Sequence, residues 1–143
     1  FFKYLDGIVI GRSDIVGSLG LSKDNVNSKK IFGKVKSTLL KIKKKSRKKM
    51  IFKMGGSITP KAKSFIKRLY DLKLLDYIET RNIEIKLSEK NLNNFNILIT
   101  KSFEFERLWL EYKMKQNKPL KNLKYNEDQK REREIRKRLN QQK

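Results

Sequence analysis

The sequence predicts an α/β fold in which parallel strands alternate with helices. Three observations carry this. A short apolar run, Ile8–Ile10, ends at Gly11 and hands Arg12, Ser13 and Asp14 to the next turn. A second buried-strand run, Met50–Met54, ends at Gly55-Gly56. A third stretch rich in β-formers, Asp76–Ile85, follows one helical pattern later, so strands and helices alternate as in βαβ units with right-handed crossovers.

Each element has its own signal. Ser28 is an N-cap for a helix over 29–46, in which Ile31, Phe32, Val35, Leu39 and Ile42 recur at helical spacing. Lys34, Lys36, Lys41, Lys43, Lys44 and Lys45 occupy its other face, and the basic run continues through Arg47, Lys48 and Lys49. Thr59-Pro60 opens a second helix, with Ala62, Phe65, Ile66, Leu69 and Leu72 as its buried stripe. In Asp76–Ile85, read as one strand, period two puts Tyr77, Glu79 and Arg81 on one face.

From Asn91 to Gln116 the pattern is one long helix or two, with Leu92, Phe95, Leu98, Ile99, Phe105, Leu108, Trp109 and Tyr112 expected to face a core. Pro119 ends that region. The division expected is a domain over 1–117 and a charged tail over 118–143, helical or disordered. Within the tail, Glu127–Leu139 forms at most a solvated helix held by pairs such as Glu132–Arg136 and Glu134–Arg138.

Composition narrows the chemistry. With neither cysteine nor histidine among its 143 residues, the chain has no disulfide framework, thiolate zinc site or imidazole acid–base group. Carboxylates, hydroxyls, Lys, Arg and backbone amides remain. No window approaches the roughly 18 apolar residues of a membrane span, so a soluble, cytoplasmic protein is expected. A net charge of +22 raises nucleic acid as a partner, because Lys and Arg displace the counterions of phosphates. The competing explanation is a lysine-rich coding bias deposited on solvent faces. The first residue, Phe1, and the early first strand suggest a chain whose N-terminal part is missing.

The chemistry centres on Asp14. A carboxylate at a strand's carboxyl end suits a hard divalent metal, whereas the plain alternative is a loop-turning aspartate. Arg12 is either a group for a substrate's anionic end or a surface or packing arginine. Glu79 and Arg81 approach the same cavity or form a structural ion pair. Gly55-Gly56, with Ser57 and Thr59, either lets a ligand near the backbone or makes a plain turn.

Asp6-Gly7-Ile8, then Ile10-Gly11-Arg12-Ser13-Asp14-Ile15 and Gly17-Ser18-Leu19-Gly20, resemble the signature of the HpcH/HpaI aldolase and citrate-lyase β-subunit family. The resemblance covers roughly residues 3–85. It implies that the chain is the C-terminal portion of a TIM-type (β/α)8 barrel, with a C-terminal helix and charged tail added. It also implies a carbon–carbon lyase or aldolase acting on a 2-oxo acid or an acyl-CoA, with Mg²⁺ or Mn²⁺ as cofactor. Asp14 matches the family's aspartate metal ligand, and the backbone amides of Ser13 and Asp14 match its substrate-carboxylate donors. The family's glutamate ligand and catalytic arginine fall before Phe1, so no catalytic residue is assigned and the isolated piece is expected to be inactive. Arg12 stands where many aldolases have proline, which implies a different pocket. The substrate-binding set is therefore Arg12, Ser13, Asp14 and Arg81, in a protein expected to be a homo-oligomer when complete. The other expected classes are a basic nucleic-acid-binding module and a non-catalytic relative of the lyases.

Overall fold

A computed structural model describes residues 4–46, 48–116 and 123–140, with only the backbone of 123–125. The readings at Arg47 and Pro119 lie outside the described residues. The protein is mixed α/β and divides into two compact units, 1–96 and 97–143. That boundary falls inside the domain expected over 1–117.

The first unit holds a four-stranded sheet in the order β1-β2-β3-β4. Strand β1 spans Gly7–Gly11, β2 Ile51–Gly55, β3 Tyr77–Glu79 and β4 Glu84–Lys86. The first three are parallel, as expected; β4 runs antiparallel to β3. The stretch read as one strand is therefore a hairpin. Thr80 makes the turn, its N–H and Oγ1–H both donating to the Ile83 carbonyl at 2.8 and 3.3 Å.

Helix α1 (Arg12–Ser18) follows β1, and α2 (Lys29–Lys45) leads into β2. Ser28 caps α2 as expected, its Oγ accepting from Ile31 N at 3.3 Å. Thr59-Pro60 opens a single 3-10 turn, Pro60–Ala62, before α3 (Lys63–Asp71). Register then explains burial. Ile10, Met54 and Ile78 are paired across the three strands and buried with Phe52, while the alternate positions Val9 and Ile51 are 54% and 41% exposed. Right-handed crossovers put α2 and α3 on the same face of such a sheet. Their Phe32 and Phe65 rings meet edge to face at 5.2 Å. One face of the sheet is thus covered by helices. The other carries exposed Val9 and half-buried Lys53 and Tyr77, with Lys53 paired to Glu84.

The long helical pattern breaks into α4 (Glu89–Asn93), capped by Ser88, and α5 (Phe95–Gln116). Unit two pairs α5 with α6 (Leu123–Asn140). The ion pairs Lys113–Asp128 and Glu106–Arg131, and Arg138 over the Phe103 ring, show an antiparallel hairpin, since numbers fall on one helix as they rise on the other. The expected Glu132–Arg136 pair forms. Glu134 instead meets Arg131 at 3.5 Å. The tail also buries Ile135 completely, so it has more of a core than its composition suggested. On α5, Ile99, Phe103 and Leu110 are buried, whereas Phe105, Leu108, Trp109 and Tyr112, expected to face a core, are exposed. Among the described residues no helix is long and apolar enough to cross a membrane.

Candidate functional site

Chemistry in an α/β sheet collects at the carboxyl ends of its parallel strands, where the loops converge. Here those ends are Gly11, Gly55 and Glu79. Gly11 and Gly55 are register partners, and the groups that follow them are tied together by Arg12.

Arg12 is fully buried. Its Nη1 donates to Asn27 Oδ1 at 2.6 Å, and its Nη2 donates to the carbonyls of Gly56 and Ser57 at 3.0 and 2.9 Å. The guanidinium sits 5.0 Å from the centre of the Phe65 ring. Among the described residues its Nε has no hydrogen-bond partner and no carboxylate pairs with the charge. Burial pushes Arg12 down to about 10, so it stays charged at neutral pH. Of the two roles open to Arg12 from the sequence, substrate contact or packing, its guanidinium points inward, as a brace between the β1 and β2 loops.

Arg12 holds an unusual turn. Gly56 (φ 79°) and Ser57 (φ 52°) are both left-handed, a conformation that costs a non-glycine residue about 1–3 kcal/mol. A Cβ on Gly56 would lie 2.6 Å from Ser13 N and 2.8 Å from Arg12 N, so the two loops touch backbone to backbone. Gly56→Ala is expected to cost about 3 kcal/mol or more, read as a lowered denaturation midpoint. A loss under about 1 kcal/mol would contradict this packing. The same approach brings Ser13 Oγ within 3.1 Å of Ser57 Oγ.

Asp14 is exposed, and its carboxylate lies over Gly11, where a Cβ would otherwise stand. It has no hydrogen bond or ion pair among the described residues. A carboxylate in a first helical turn suits the positive end of the backbone dipole. Glu79 Oε1 lies 3.1 Å from the place of a Cβ on Gly55. Neighbouring strands are about 4.8 Å apart, so Asp14 and Glu79 stand over adjacent strand ends. Arg81, grouped with them by strand periodicity, lies exposed on the β3–β4 turn and makes no ion pair with Glu79.

The sequence reading missed Asn27 and Phe65 as Arg12 partners. Phe65 was visible only as a core residue, and nothing local marks Asn27, 15 positions from Arg12. A cavity of about 780 Å³ opens at the opposite, amino end of the strands, lined by Lys43, Lys48, Lys49, Tyr70, Lys73 and Asp76 among others. It contains none of the carboxyl-end groups.

The metal implied by the resemblance can be tested against these donors. Among the described residues no three acidic side chains cluster, so a cage made wholly of protein ligands is not built here. Mg²⁺ commonly binds through only one or two carboxylates, with water and substrate oxygens completing its shell. Asp14 and Glu79 supply the carboxylate type that such a site uses, one beside Gly11 and one beside Gly55. Comparison with protein-family models, curated proteins and solved structures finds no match for this chain.

Proposed function

We propose that this chain is one sector of a divalent-metal-dependent carbon–carbon lyase or aldolase acting on a 2-oxo acid or an acyl-CoA. The observation that carries the reading is Asp14: it belongs to the Asp6–Gly20 motif, and its unpaired carboxylate stands at the carboxyl end of the first parallel strand.

The three parallel strands support the barrel part of the reading, while antiparallel β4 departs from an all-parallel barrel. Helices α2 and α3 lie on one face, the other face carries Val9, Lys53 and Tyr77, and among the described residues β1 is paired only with β2. In a (β/α)8 barrel the open face becomes the inner wall, and further strands add at the β1 edge.

Asp14 holds Mg²⁺ or Mn²⁺, with Glu79, at the end of β3, as the candidate second carboxylate. Such an ion supplies Lewis acidity for the enolate charge that develops when the bond beside a carbonyl breaks. The backbone amides of Ser13 and Asp14 bind the substrate carboxylate. Arg81, exposed beyond β3, adds positive charge that draws an anionic substrate toward this edge. Arg12 fixes the loop from behind without touching the substrate.

The test is Mn²⁺ binding by electron paramagnetic resonance on the complete protein and its Asp14→Asn variant. Loss of a ligand weakens binding by at least about 100-fold, since even outer-shell partners are worth 10–100-fold. The circular dichroism spectrum should not change, because Asp14 is exposed and unpaired. Mn²⁺ affinity and carbon–carbon cleavage unchanged in Asp14→Asn would end the assignment.

A further inference from the structure

We infer that the exposed face of α2 binds the phosphate backbone of nucleic acid. The inference does not depend on the lyase reading and rests on how charge is arranged.

From Asn25 to Tyr70 the chain contains 16 Lys and Arg residues and not one Asp or Glu. A coding bias that adds lysine has no reason to clear acids from a continuous stretch of this length. Within it, Lys30, Lys34, Lys41 and Lys45 lie at i, i+4, i+11 and i+15, which puts them in one row along the helix. They are exposed, and the row lies about a third of a turn round the helix from the buried Ile31, Val35 and Leu39. At about 1.5 Å per residue the row is about 22 Å long, enough to follow several phosphates of one strand. Exposed Lys49 extends it beyond the helix, whereas Lys48 is paired with Asp6 at 2.7 Å.

None of the four ridge lysines has an ion-pair partner among the described residues, while elsewhere Lys53, Lys67, Lys113, Arg131 and Arg136 are all matched with acids. Like charges four residues apart disfavour a helix, and Lys29 and Lys30 sit at the end where the backbone dipole is already positive. A ridge that works against its own helix fits an outside polyanion.

The row favours nucleic acid over a membrane surface. The apolar face of α2 is packed inward, and of its large apolar side chains only Leu40 is notably exposed, so little is left to enter a bilayer. Lysine acts as a point charge on phosphate without base readout. Binding should therefore be independent of sequence.

The experiment is fluorescence anisotropy of a random-sequence 20-base-pair DNA and a random single-stranded RNA, titrated with the whole chain between 50 and 200 mM KCl. Four or five neutralised phosphates give a log–log salt slope of about −4 on DNA, a fall of roughly 200-fold across that range. Lys34→Gln with Lys41→Gln should reduce the slope by about 2. The control, Lys86→Gln with Lys90→Gln, changes net charge equally at exposed positions off the ridge and should leave the slope unchanged. Ridge-dependent binding of either nucleic acid supports the inference. No binding at 50 mM KCl, equal effects of the two variant pairs, or ridge-dependent binding only to phosphatidylserine vesicles would overturn it.

Discussion

Arg12→Ala is expected to lower folding stability by about 3–5 kcal/mol, the range seen when one member of a buried charged hydrogen-bond set is removed. The substitution strips partners from Asn27 Oδ1 and from the Gly56 and Ser57 carbonyls at once. It also removes the cation from the Phe65 ring, which itself packs on Phe32. One term opposes the loss. Burial lowers the Arg12 pKa to about 10, so holding the charge inside carries a cost at every pH below that value, and the cost fades as pH rises through 10 toward the unfolded value. A cation with a depressed pKa thus makes wild-type stability rise with pH in that window, and Arg12→Ala removes that rise. The bare acceptors dominate at neutral pH. Arg12→Lys keeps the charge but not the planar fork that reaches Asn27 and two successive carbonyls together, so it should recover less than half. Urea denaturation at pH 7 measures both. A loss under about 1 kcal/mol for alanine would mean that the loops hold without the brace.

The parts of the fold that were legible in the sequence are those with residue-type punctuation. Gly11, Ser28, Gly55-Gly56 and Thr59-Pro60 each demand a backbone geometry or supply a capping oxygen, and β1, β2, α2 and α3 begin or end beside them. The β3–β4 hairpin was hidden because its turn, Thr80–Ile83, contains neither glycine nor proline and is flanked by β-formers that read as one run. On α5 the error came from equating apolar with inward. The buried set 102, 103, 106 and 110 includes Ser102 and Glu106, while Trp109 and Tyr112 stack at 5.9 Å near the surface. A hydrophobic count cannot find a face made partly of ion pairs. The site divides the same way: a carboxylate after a strand-ending glycine was readable at Asp14, but the inward turn of Arg12 depends on carbonyls 44 and 45 residues away.

The same buried-charge logic makes the second unit sensitive at Arg131. Glu106 is 1% exposed and receives two bonds from that guanidinium, Nε to Oε1 at 2.8 Å and Nη2 to Oε2 at 3.0 Å. Burial opposes the Arg131 charge, but bonding to Glu106 and the negative charge of Glu106 and Glu134 outweigh it and hold the pKa above its ordinary value. Arg131→Ala leaves Glu106 buried without its cation, at a cost of about 3–5 kcal/mol. Lys113–Asp128 and Arg136–Glu111 remain, but the second is exposed and adds little, and the first does not satisfy Glu106. Amide exchange in α6 should accelerate by about 100-fold or more if the hairpin opens as a unit. The paired change Glu106→Met with Arg131→Met removes both charges and should restore most of the protection, because apolar replacement of a whole buried pair is often neutral or stabilising. If Arg131→Ala exchanges no faster than wild type, the hairpin is held by Phe103, Leu110 and Ile135 alone. If the double methionine variant exchanges as fast as Arg131→Ala, the bidentate geometry itself, rather than the stranded charge, is what the hairpin needs.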